Sequence, residues 1–180
     1  MDSQLYAVTV CVLVRRGDSW LLVLRAPDVA YAPNMIGLIG GHVEVTEPEA
    51  GVLEATARRE VAEEVALDLS EVPLTYLESE FFITPGGERQ ITVTFAASAP
   101  SGDEPSVNAP AELAEVRWWT ISDLEADPRC PAWLPDLLRR ADAATSATGQ
   151  ARTRRRTVSG RSFSLSITSA VKTPAISVIT

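Results

Sequence analysis

Several things this chain lacks narrow what it is. It has two cysteines in 180 residues, Cys11 and Cys130. Two so far apart make no disulfide framework and have no metal-ligand spacing, so a reducing, cytoplasmic location is expected. Cys11 lies in an apolar run and reads as a small buried hydrophobe. No run of about 18 apolar residues exists to span a bilayer. The N-terminus lacks a charged region leading into an apolar core and a cleavage site, so nothing marks the chain for export. No internal repeat is visible. Acidic residues are absent after position 142. Before position 151 ten basic residues face 24 acidic ones, a balance of −14, and the six remaining basic residues give the last thirty positions +6. An acidic body lacks the basic face that duplex nucleic acid requires, but it suits a protein that collects divalent cations.

The length suits one domain with a proper core. Residues 5–14 (LYAVTVCVLV) are apolar and β-branched and read as a strand buried on both faces. Arg15-Arg16-Gly17-Asp18 is a turn into a second strand, Trp20–Leu24, and the two form a hairpin. Residues 26–35 read as a loop, and Ile36–Ile39 is a short apolar stretch ending on Gly40-Gly41. A helix is expected over 47–66, capped by Thr46, with Pro48 in its first turn, Glu49 completing a capping box, and Val52, Ala55, Ala62 and Val65 packing. Thr75–Thr84 is a strand, turned by Pro85-Gly86-Gly87 into Gln90–Ala97, where Ile91, Val93 and Phe95 alternate with threonines. Residues 98–111 read as a surface loop, Val116–Thr120 as a strand, Ser122 as the cap of a short helix and Ala132–Ala144 as a final amphipathic helix. The domain is expected over 1–144. Residues 145–180 form an Arg/Ser/Thr-rich tail whose composition favours disorder or poor packing. The tail's last part alternates Ser/Thr with apolar residues but has no obvious strand partner.

The chemistry lies in Arg59-Glu60-Val61-Ala62-Glu63-Glu64. At about 100° per residue, Glu60, Glu63 and Glu64 share one helical face. Their mutual repulsion is relieved by a hard divalent cation, which takes oxygen ligands from carboxylates and phosphates. Arg59, four residues before Glu63, can orient that carboxylate through a charge-assisted hydrogen bond. Three glutamates alone describe a solvated face. The balance changes with Gly40-Gly41 just ahead of the helix, where the backbone can approach closely and lend a carbonyl, and with Arg59.

The stretch Gly41-His42-Val43-Glu44-Val45-Thr46-Glu47, followed by Arg59-Glu60-Val61-Ala62-Glu63-Glu64-Val65-Ala66-Leu67, resembles the Nudix box. The resemblance implies an α/β (α+β) fold over residues 1–144: a mixed β-sheet sandwiched between helices, carrying the Nudix loop-helix-loop. It also implies a hydrolase of pyrophosphate bonds in nucleotide-like small molecules. Mg²⁺, or Mn²⁺ as substitute, would be held by Glu60, Glu63, Glu64 and a carbonyl of Gly40 or Gly41. Catalytic roles would fall to Glu63, Glu64, Arg59 and Glu47. Many relatives pair as dimers, so a homodimer is allowed but not selected.

Two departures bear on activity. Eleven residues, where the family has seven, separate Glu47 from Arg59. As a helical extension, four extra residues turn about 400° and carry Glu47 about 6 Å along the axis; as a bulged loop, they let it return. Counting back from Arg59, the expected glutamate position holds Gly51. Ala66 stands where the family has a glycine suited to a left-handed helix end.

Around this core, Arg25 and His42 are candidate phosphate contacts, each weighed against a surface or structural role. Glu104 and Glu112, on or next to the 98–115 loop, are candidate general bases weighed against solvated carboxylates. Trp118-Trp119 could stack a base, but neighbouring strand residues face opposite ways, so core packing is expected; Tyr31 and Phe82 stand likewise. Arg152–Arg156 reads as a solvated tail rather than an anion site. The leading function is an enzyme. The alternatives are a Nudix-fold module that binds nucleotide without turnover, and a structural domain with an acidic helix.

Overall fold

The computed structural model describes residues 5–46, 50–84 and 86–156. Among these residues, seven strands make one mixed sheet. The strands are β1 (Ala7–Arg16), β2 (Ser19–Arg25), β3 (Ile36–Gly37), β4 (Ile39–His42), β5 (Thr75–Ile83), β6 (Arg89–Ser98) and β7 (Leu113–Trp119). The helices are α1 (Val52–Val65), α2 (Ile121–Ala126) and α3 (Leu134–Arg156). The strand order is β3-β2-β1-β6-β5, with β4 on β1 and β7 on β2. The β1–β6 pairing is parallel, from Ala7 against Gln90 to Arg15 against Ser98. The β1–β2 hairpin is antiparallel, and its turn is the two residues Gly17-Asp18, so Arg15 and Arg16 belong to the strand.

Alternation along the strands splits the core into two layers. Val10, Val12, Val14, Leu21, Val23, Val93 and Phe95 pack with Ala57, Val61 and Val65 of α1. Leu13, Trp20, Leu22 and Trp119 pack with Leu124 of α2 and Leu134, Leu137, Leu138 and Ala141 of α3. The sheet is thus sandwiched between helices, as expected. Trp118 packs against the first layer and Trp119 lies in the second, so the pair serves the core. Each such fully buried side chain contributes about 1.5–3 kcal/mol of transfer free energy.

The central helix is shorter than its sequence suggests. It begins at Val52, with Gly51 as N-cap in a left-handed conformation (φ 69°). Thr46 does not cap it; the Thr46 hydroxyl donates to Glu44 instead. Ala50 and Gly51 are outside the helix, so the insertion does not extend it. Glu47, Pro48 and Glu49 lie outside the described residues, and so does Pro85 of the β5–β6 turn. Of the expected packing positions, Val65 is buried while Ala62 is exposed, because the helix turns Ala57 and Val61 to the sheet. Ser122 does not cap α2: Thr120 does, exchanging hydrogen bonds with Asp123 in a capping box. Helix α3 runs past 144 to Arg156, through a stretch that includes Ser146 and Gly149 as well as Ala, Thr, Gln and Arg. The expected domain limit falls inside it, and residues 157–180, with the alternating segment, lie outside the described residues.

Helix α1 ends on Ala66, held left-handed at φ 57° and ψ 30°. The loop expected over 98–111 starts one residue later, because Ser98 ends β6, and it also closes this helix end.

Candidate active site

Strand β4 lays Gly40 and Gly41 beside Cys11 and Val10 of β1. A Cβ at Gly40, whose φ is 151°, would stand 2.1 Å from the Val10 carbonyl oxygen. A Cβ at Gly41 would stand 2.3 Å from Glu60 Oε1. Both glycines are therefore required for α1 to bring its carboxylates against the sheet. The Gly40 N–H donates to Glu64 Oε2 at 3.2 Å.

Glu60 and Glu64, one helical turn apart, are 8% and 7% exposed. Burial pushes the Glu64 carboxyl up to about 8, against the Gly40 hydrogen bond, with the charges of Glu60 and Glu112 adding and that of Arg25 opposing. Burial also raises Glu60, opposed by Arg59 and reinforced by Glu63 and Glu112. Cys11, beneath them, is pushed up to about 12 by burial and by these two carboxylates; Cys11 and Cys130 are free thiols.

Glu63 behaves differently: its side chain is 59% exposed. Arg59 Nη1 donates to Glu63 Oε2 at 2.7 Å, the contact its spacing implied, and lies 2.9 Å from Glu60 Oε1 and 3.8 Å from Glu44 Oε1. Arg59 Nη2 donates to the His42 carbonyl at 2.9 Å, tying the helix to β4. His42 itself is exposed. Among the described residues, no three His, Cys, Asp or Glu side chains stand gathered as a ready metal site. The structure unites Glu60 and Glu64 under the glycines and turns Glu63 to the rim.

The donor set still fits a hard cation. Two carboxylates are buried where their charge is costly, and a divalent ion is the partner that offsets such a cost.

Two further residues border the pair. Arg25, at the end of β2, is near enough for its charge to act on Glu64. Its Nε donates to the Tyr31 carbonyl, which fixes the side chain. The candidate bases separate. Glu104 is paired with Arg16 at 2.8 Å, whereas the charge of Glu112 acts on both Glu60 and Glu64. The Ala26 N–H donates to the Glu112 carbonyl, placing Glu112 where β7 enters the sheet beside β2. No local pattern marks this residue; the long-range β2–β7 pairing delivers it.

A mixed sheet between helices, with a glycine pair cradling helical glutamates, is an α+β architecture shared with solved Nudix structures. The NUDIX domain profile matches residues 5–141, and the chain belongs to the Nudix hydrolase family. It is 33% identical over 125 residues to the NAD-capped RNA hydrolase NudC of Deinococcus radiodurans, which covers 68% of this chain. The match spans 40% of the length of that curated relative. Among solved structures, a MutT NUDIX hydrolase from Burkholderia pseudomallei is similar, with TM-score 0.57 and 28% identity over 67% of this chain and 87% of that one. The NUDIX domain of Shewanella oneidensis NrtR, solved with ADP ribose, shares the fold with TM-score 0.63 and 22% identity over 79% and 90% of the two chains. Among the described residues, no helix is long and apolar enough to cross a membrane.

Proposed function

We propose that this chain hydrolyses a pyrophosphate linkage in a small nucleotide derivative with Mg²⁺, Mn²⁺ serving as substitute. The carrying observation is the burial of Glu60 and Glu64 beneath Gly40-Gly41, within reach of the charges of Arg25 and Glu112. In this reading Glu60, Glu63 and Glu64 would hold the cation, with a Gly40 or Gly41 carbonyl. When bound, the cation neutralises charge on the diphosphate and makes water more acidic. Arg25 and His42 contact phosphate oxygens from the β2 and β4 sides. Water attacks one phosphorus, the bridging P–O bond breaks, and the leaving phosphate departs with the bond's electron pair. Glu112 is the favoured acceptor of the water's proton, since it lies outside the buried pair yet within its field. Glu63 or Glu64 stand as alternatives. Arg59 orients Glu63 and Glu60. Glu47 keeps a catalytic assignment only if the loop before α1 returns it to the site.

One observation favours a second reading, a nucleotide-binding module without turnover. Gly51 occupies the helix start where the family's spacing places a glutamate. The test is a hydrolysis panel with Mg²⁺ over nucleoside triphosphates, dinucleoside polyphosphates, ADP-ribose, sugar nucleotides and NAD, with products separated by chromatography. Cleavage between two phosphoryl groups supports the enzyme. Saturable binding with no product supports the module and overturns turnover.

A further inference from the structure

The last four carbonyls of α1, those of residues 62–65, have no partner further along the helix. The Ala66 N–H reaches one, the Ala62 carbonyl, at 3.2 Å. Alanine in the left-handed region is a strained helix stop, so this end depends on contacts from outside. Those contacts come from one loop. Asn108 Nδ2 donates to the Glu63 carbonyl at 3.0 Å and to the Ala62 carbonyl at 3.3 Å. The Asn108 N–H donates to the Glu64 carbonyl at 2.9 Å, and the Ser106 N–H to the Val65 carbonyl at 3.0 Å. All four carbonyls are thus satisfied, two of them belonging to candidate metal ligands.

The same loop is fastened on its other side. Arg16 Nη1 donates to Glu104 Oε1 and its Nη2 to the Asp103 carbonyl, each at 2.8 Å. The Arg16 guanidinium lies 4.2 Å from the centre of the Trp118 ring, which fixes it in place. Immediately past Asn108 the chain turns, with the Glu112 and Leu113 N–H groups both donating to the Ala109 carbonyl. Glu112 follows four residues after Asn108. One strap therefore grips the end of α1, which carries Glu63 and Glu64, and delivers Glu112.

We propose that Asn108 is a positioning residue, whose amide holds the end of α1, and with it the carboxylates of Glu63 and Glu64, at a set spacing from Glu112. The inference rests on the reading of the metal site given above. The side chain matters because a planar amide offers two N–H groups to successive carbonyls. Alanine offers none, and aspartate would set acceptor against acceptor at the negative end of a helix.

The test compares the full chain with Asn108→Ala, and with Asn108→Ala combined with Ala66→Gly. Mn²⁺ affinity by calorimetry, kcat, KM and the thermal midpoint are read for each. Removing a residue that orients ligands typically costs about 10-fold to 100-fold in metal affinity or activity. Asn108→Ala is therefore expected to weaken Mn²⁺ binding by about 10-fold and to lower kcat similarly, with KM within about two-fold. Glycine at position 66 relieves the helix end itself. It is expected to restore the thermal midpoint while Mn²⁺ affinity and kcat stay depressed. If Asn108→Ala keeps both within about two-fold of the parent chain, or if Ala66→Gly restores them together with the midpoint, Asn108 is merely a cap and the proposal falls. The two readings fail separately. A parent chain that binds Mn²⁺ but cleaves nothing overturns the hydrolase, while a drop in Mn²⁺ affinity in Asn108→Ala still supports the strap. A parent chain that takes up no Mn²⁺ overturns both.

Discussion

Gly41 and Glu60 occupy space that only a glycine can share. A Cβ on Gly41 would stand 2.3 Å from Oε1, 2.6 Å from Cδ and 2.7 Å from Oε2 of Glu60, so the whole carboxylate fills the place of the missing side chain. The strand and the helix are separate elements in sequence, yet each is shaped around the other. Gly41→Ala is expected to expel Glu60 from its buried seat. Metal uptake and turnover should fall by about 10-fold or more. The change removes a buried carboxylate rather than an apolar group, so the thermal midpoint should move little. A variant with the parent's Mn²⁺ affinity would show that Glu60 does not need this seat.

Ala66→Gly alone should stabilise the protein. A left-handed conformation costs an alanine roughly 1–2 kcal/mol that glycine avoids, partly returned through the freer unfolded chain. A net gain of about 1 kcal/mol corresponds to ~3 °C in the thermal midpoint for a chain of this size. A fall in the midpoint would mean that the strap already absorbs the strain.

Arg59→Lys should separate geometry from charge. Arg59 reaches Glu60, Glu63 and the His42 carbonyl at once. An ammonium keeps the charge but cannot span these directions as a guanidinium fork does. Turnover should drop by about 10-fold, with Mn²⁺ affinity changed less because Glu63 is freed as the site is loosened. Unchanged kinetics would leave Arg59 a surface ion pair.

The metal-free protein should lose stability as pH rises from the ordinary carboxylate range towards 8. Burial keeps Glu64 protonated in the folded chain up to about 8, whereas the unfolded chain releases that proton near 4.5. Between these values the folded state binds more protons, so this contribution is full below the lower value and is lost as pH passes the upper one. Glu60 shifts in the same direction. Asp127 and Glu78 shift the opposite way, lowered by their hydrogen bonds to Arg129 and Arg140. Thermal melts with chelator from pH 5 to pH 8 should therefore fall, and Glu64→Gln should flatten the slope. A flat profile in the parent chain would contradict the buried, protonated Glu64.

What the sequence reveals is what repeats locally. Val10, Val12 and Val14 alternate as a strand on a core must, and Ile91, Val93 and Phe95 do the same. Glu60 and Glu64 fall one turn apart, and the Arg59–Glu63 contact follows from a four-residue step. Local cues also mislead. Thr46, Pro48 and Glu49 have the composition of a helix start, but the left-handed Gly51 begins the helix later. Ser122 is a good capping type, yet Thr120 has Asp123 at the right distance for a reciprocal pair. The strap is illegible for a different reason. Asn108 meets α1 across 45 residues, and Glu112 reaches the site through strand pairing, so no window of sequence contains either relationship. The spacing of Glu63 implies one shared face; its turn towards Arg59 reflects competition from a guanidinium that periodicity does not weigh.

Calorimetric titration of the full chain with Mn²⁺, repeated on Glu60→Gln and Glu64→Gln, tests the central claim most directly. The account predicts saturable uptake by the parent chain and a loss of about 10-fold or more in affinity in each variant, both still folded. No uptake by the parent chain, or uptake unaffected by either substitution, would contradict it.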